Sequence, residues 1–145
     1  MKELYEVGLV FRGFVLVSHV FKNIQQKDNL KNPNNDLRGS FISAINIFVK
    51  NAFSNLSLEY LESNNILFIF KAFDILPSDS DEKEPIILYS LIDKKKKDSD
   101  KFVKKFLQKI EPISLLFVSR YSNKDFSELN QFEPFQNEIR EFPYT

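Results

Sequence analysis

The sequence predicts an α/β sandwich of the α+β class. A five-stranded antiparallel sheet lies between helices on both faces, in three layers (α/β/α), with the element order ββαβββαα. Three observations predict it. The strand candidates Phe14–Lys22 and Ile86–Ile92 are apolar on both alternating faces, which a sheet covered on two sides requires. Apolar residues recur at three- and four-residue steps after Asp36 and again after Ser99, the period of a buried helical stripe. Neighbouring strand candidates are joined by short polar turns, so they pair as antiparallel hairpins.

The elements follow in order. Leu4 to Phe11 and Phe14 to Lys22 form an opening hairpin around Arg12-Gly13, with the glycine supplying the positive φ of a tight turn. Ile24 to Asn35 is a polar loop. Asp36 caps a first helix that carries Phe41, Ala44, Ile45, Phe48, Ala52 and Phe53 on its apolar stripe. Gly39 near its start costs about 1 kcal/mol relative to alanine, which suggests close packing there. Leu56 to Glu62 and Ile66 to Phe73 make a second hairpin, with Asn64-Asn65 at the turn. Asp74 to Pro85 is an acidic, Ser/Pro-containing mobile loop, and Ile86 to Ile92 is the fifth strand. Ser99 caps a second helix with Phe102, Val103, Phe106, Leu107 and Ile110 on one face, which Ile113, Leu116, Phe117 and Tyr121 continue past Pro112, with a kink near Ile110. Phe132 to Phe142 is a short third helix docking by its aromatics.

Composition bounds the rest. At 145 residues the chain is one domain, 1–145, with no internal repeat. Hydrophobic residues at 43% and charged ones at 28% describe a chain able to build a core, and sixteen Phe supply much of it. With no Cys, disulfides, thiolate zinc sites and thiol nucleophiles are excluded. Twenty basic residues against twenty acidic ones leave no net field to attract nucleic acid. No apolar run reaches the ~18 residues of a membrane helix, and the amino terminus does not read as a signal peptide. The expected location is therefore cytoplasmic, with peripheral membrane contact at most.

No segment reads as a catalytic, cofactor-binding or metal-ligating motif. Glycine-rich phosphate loops and G-x-S-x-G are absent from the sequence. His19, the single histidine, has no second histidine to join it as a ligand or relay and reads as a partly buried structural residue. Asp79, Asp81, Glu82 and Glu84 lack calcium-loop spacing and read as a solvated loop. Lys94, Lys95, Lys96 and Lys97, followed by Lys101, Lys104 and Lys105, form the main basic cluster. It reads either as a contact for anionic lipid or as a solvated face balanced by Asp93, Asp98 and Asp100. No aromatics interleave with these lysines as a base-stacking platform needs, so no nucleic-acid partner is expected.

The segments YEVGLVFRGFVLVSHVFK, DLRGSFISAINIFVKNAF, NNILFIFKAF, IILYSLIDKK and FEPFQNEIREF, in this order, resemble a longin domain across nearly the whole chain. This profilin-like fold is shared by vesicle-traffic SNARE amino-terminal domains, adaptor small subunits and related GTPase-associated platforms, including longin-type chains of archaea. The roadblock family shares the plan but usually places a helix before the first strand. The resemblance implies a non-enzymatic, cofactor-free interaction module that binds or regulates a small GTPase or a membrane-trafficking complex. No SNARE heptad segment accompanies it, so fusion activity is not implied. A homodimeric roadblock-type scaffold subunit is the alternative, and a small-ligand sensor a weaker one. If the sheet has the longin order 2-1-5-4-3, Leu56–Glu62 is an edge strand. The partner surface then falls at Leu56, Leu58 and Tyr60, with Phe48 and Asn51 on the adjoining helix.

Overall fold

The structure is a computed structural model and describes residues 4–22, 42, 44, 59–62, 65–94 and 98–144. Within these residues the chain runs β1 (Leu4–Phe11), β2 (Phe14–Val20), β3 (Tyr60–Glu62), β4 (Ile66–Ile75), β5 (Glu84–Asp93) and α1 (Ser99–Tyr121). A short 3-10 turn (Leu129–Phe132) and α2 (Phe135–Glu141) complete it. The class is α+β, built on one antiparallel sheet in the order β2-β1-β5-β4-β3.

The central strands obey the two-sided pattern. Every residue of β1 is buried, as are Ile86 through Ile92 in β5. On one face Val7, Leu9, Leu67, Ile69, Ile86 and Leu88 pack beneath the inward stripe of α1 and the rings Phe126, Phe132 and Phe135. Phe117 centres this face, with Tyr121, Phe132 and Phe135 within 4.7, 5.8 and 5.1 Å between ring centroids. On the other face Val10, Phe70, Ile87 and Tyr89 cluster with Ile42. Ile42 and Ala44 are helical, but the rest of the expected first helix, including Gly39, lies outside the described residues, as does the polar loop 24–35.

Gly8 explains how the second face closes. It pairs with Tyr89 across the β1–β5 ladder, and a Cβ at position 8 would sit 2.6 Å from Tyr89 Cε1 and 2.7 Å from its Cζ. The missing side chain is what lets the phenol lie flat on the strand. Its hydroxyl then donates to the carboxylate of Glu6, which is buried beside it. Beneath α1, Ser90 Oγ is buried with no hydrogen-bond partner among the described residues.

Several expectations are corrected. The strand expected over Phe14–Lys22 stops at Val20, and among the described residues it is an edge strand with Phe14 57% and Val20 54% exposed, not one covered on both faces. The amides of Phe21 and Lys22 both turn to the Tyr5 carbonyl, which ends the ladder. Arg12 as well as Gly13 adopts positive φ, +51° and +84°, the signature of a primed two-residue turn. The strand expected over Ile66–Phe73 extends to Ile75, and that over Ile86–Ile92 spans Glu84–Asp93, because Asp74 pairs with Pro85 and Ile75 with Glu84. The loop expected to be mobile from Asp74 to Pro85 therefore shrinks to 76–83 and is pinned. The Asn123 amide donates to the Leu76 carbonyl at 2.7 Å, and the Ser78 amide to that of Lys124 at 2.9 Å.

The helix caps also differ. Asp98, not Ser99, caps α1, accepting from the Lys101 amide. As expected, the helix continues past Pro112, in one 23-residue element, and Ile113, Phe117 and Tyr121 extend its buried stripe, but Leu116 is 36% exposed. Pro112 faces solvent, where water can satisfy the carbonyl its missing N–H leaves free. The helix expected over Phe132–Phe142 is split, since Pro134 cannot donate and separates the 3-10 turn from α2. Its aromatics dock as expected, with Phe132 and Phe135 fully buried.

Candidate functional site

The sheet order makes β3 a terminal strand among the described residues. It pairs through Tyr60↔Ile69, Leu61↔Phe68 and Glu62↔Leu67. Its side chains tie it to the start of α1. The Tyr60 hydroxyl donates to Asp100, a bond that pushes the phenol pKa up to about 12. Ser99 Oγ donates to Glu62 Oε2 at 3.2 Å, and Lys94 Nζ lies 3.0 Å from the same oxygen. Tyr60 packs against the core under α1, so its ring is committed to the helix side of the sheet.

Of the residues expected at the partner surface, Tyr60 is thus described. Phe48, Asn51, Leu56 and Leu58 lie outside the described residues. So do Lys95, Lys96 and Lys97 of the basic cluster, while Lys94 is engaged by Glu62. The acids expected to balance that cluster each accept a hydrogen bond from another group. Asp93 accepts from the Tyr5 hydroxyl at 2.7 Å, Asp98 caps α1, and Asp100 accepts from Tyr60.

Next to β3, the second half of β4 and the outer side of α1 border an open groove of about 430 Å³, with Lys71, Phe73, Ser114, Leu115 and Val118 among its lining. Lys71 Nζ stands 3.9 Å from Glu111 across it. At the opposite edge α2 closes over β2, where Gln136 Nε2 donates to the Ser18 carbonyl at 2.9 Å. His19 is partly buried and meets the ring of Phe21 edge-on at 4.6 Å.

The strongest ionic arrangement is one the sequence reading missed. Arg12, at the hairpin tip, donates from Nε to Glu84 at 2.9 Å and from Nη1 to Asp79 at 3.0 Å, while its guanidinium covers the Phe11 ring at 4.7 Å. The guanidinium holds both carboxyls below their ordinary range. Asp79 and Glu84 thus pair with Arg12 at the surface, the Asp79 side chain staying 50% exposed. A non-glycine residue in a primed turn was the available signal for Arg12. Among the described residues no group of three or more His, Asp or Glu side chains is placed to hold a metal ion, and no helix is long and apolar enough to cross a membrane.

No protein-family model, curated protein or solved structure matches this chain.

Proposed function

We propose that the chain is a longin-type protein-interaction module, a three-layer α/β/α sandwich that binds or regulates a small GTPase or a membrane-trafficking complex. The observation that carries this reading is the strand order β2-β1-β5-β4-β3, the order the longin resemblance implies. The cluster of Ile42 with Val10, Phe70, Ile87 and Tyr89 supports a helical layer on the second face. On this reading the protein is not an enzyme and needs no cofactor. It works through the β3 edge, where Leu56, Leu58 and Tyr60 offer main-chain pairing and Phe48 and Asn51 flank it.

The test is binding of the full chain to immobilised small GTPases loaded with GDP or with a non-hydrolysable GTP analogue. Binding in one nucleotide state, lost in a Leu56→Glu, Leu58→Glu variant, supports the reading. Retention in neither state, or retention untouched by those substitutions, counts against it. A second reading, the homodimeric roadblock-type scaffold, is favoured by the exposed Phe14 and Val20 on the other terminal strand, β2. Sedimentation at micromolar concentration decides it, since a strict monomer removes that reading.

A further inference from the structure

The outer face of α1 has a composition that its inner face does not explain. At 100° per residue, Lys101, Lys105, Pro112, Leu116 and Ser119 fall within about 60° of one line along the helix, with Lys104, Gln108, Lys109 and Leu115 beside them. All nine are exposed. Leu115 is 63% and Leu116 36% accessible, large apolar side chains left in water. Lys101, Lys104, Lys105 and Lys109 make no ion pair among the described residues. Of the acids of the helix, Asp100 accepts from Tyr60, and Glu111, exposed at the border of this face beside Lys104 and Leu115, lies 3.9 Å from Lys71. The face is thus cationic over its first three turns and carries Leu115 and Leu116 over the next two, along about 27 Å.

We propose that this face is a peripheral docking surface for an anionic lipid bilayer. The four lysines meet headgroup phosphates, while Leu115 and Leu116 enter the boundary between headgroups and acyl chains. Charge complementarity selects an anionic surface, and the paired leucines select a bilayer over a nucleic acid. A phosphodiester backbone offers such leucines nothing, and the aromatics that would stack on bases, Phe102 and Phe106, are turned inward against the core. Lysines flanking exposed apolar residues on a helix lying in the interface plane are what such a surface needs. The proposal rests on the charge and exposure of α1 and stands apart from the GTPase reading.

The experiment is flotation of the full chain with phosphatidylcholine vesicles and with vesicles also carrying about 30% phosphatidylserine. The expected result is binding to the anionic vesicles only, weakened by added salt. Lys105→Gln with Lys109→Gln lowers the partition coefficient about 25-fold, roughly five-fold per lysine. Leu115→Ser with Leu116→Ser lowers it about ten-fold while leaving any affinity for duplex DNA unchanged. These positions are exposed, and far-UV circular dichroism confirms that each variant folds. No binding to anionic vesicles overturns the proposal. So does binding that ignores either pair of substitutions, and so does tighter binding to duplex DNA than to the vesicles.

Discussion

Replacing Gly8 with alanine tests the packing of the sheet's second face. The added methyl would lie 2.6 Å from Tyr89 Cε1, where carbon atoms ordinarily rest about 3.5–4.0 Å apart. The ring must therefore move by about 1 Å. It has nowhere ready to go, because Tyr89 is fully buried against Val10, Ile42, Phe70 and Ile87. Overpacking of this kind costs about 1–3 kcal/mol. Moving the ring also pulls its hydroxyl from the buried Glu6 carboxylate, which adds about 1–3 kcal/mol. Gly8→Ala should thus destabilise by about 2–6 kcal/mol, a drop of roughly 6–18 °C in Tm. The chain has no Trp, so urea unfolding is followed by far-UV circular dichroism. Tyr89→Leu supplies the control, since it removes both the ring and the hydrogen bond. In that background Gly8→Ala should cost at least about 1.5 kcal/mol less than in the parent. A Gly8→Ala variant within about 0.5 kcal/mol of the parent, or an equal cost in both backgrounds, would refute the reasoning.

Phe117→Ala empties the centre of the α1 face, where Tyr121, Phe132 and Phe135 all lean on this ring, and should cost about 3–5 kcal/mol by urea unfolding. Ser90→Ala removes a buried hydroxyl with no hydrogen-bond partner among the described residues and should leave stability unchanged or raise it by about 1 kcal/mol in the same assay. Arg12→Gln frees Asp79 and Glu84, whose carboxyls the guanidinium holds low. Groups with lowered folded-state pKa contribute stability above their unfolded pKa and lose it as pH falls through the folded value. The Tm gap between parent and variant should therefore be full above about pH 5 and shrink on acidification below that; a gap that widens instead would contradict it.

The parts of the fold legible in the sequence are those where local pattern and tertiary environment agree. β1 and β5 are apolar at almost every position because both faces are covered, and the inward stripe of α1 repeats with the helical period. β2 looks the same in sequence, yet Phe14 and Val20 are exposed, because nothing local marks a strand as lying at the edge. Asp98 and Ser99 are both competent caps one residue apart, and only backbone geometry chooses between them. Arg12 meets acids 67 and 72 residues away, a meeting that depends on β1 lying beside β5. The same long separation hid the use of Gly8 by Tyr89. At the candidate site, the longin resemblance implied an edge strand at Tyr60, but nothing local told that Asp100 engages its hydroxyl. Nor could the sequence tell that Asp93 accepts from Tyr5, a residue 88 positions away.

The pairing of β1 with β5 also governs the order in which the molecule can form. Leu9 pairs with Leu88 and Val7 with Ser90, so β1 waits for a strand about 80 residues later before its second edge is covered. At the usual 5–20 residues per second of synthesis, that wait is about 4–16 s. Hairpin formation with β2 takes microseconds, so a growing chain carries an apolar ribbon, open along one edge, for nearly the whole interval. Closing that loop late makes folding slow relative to helical domains of this size. It also makes the nascent hairpin the segment most in need of protection from other chains until β5 arrives.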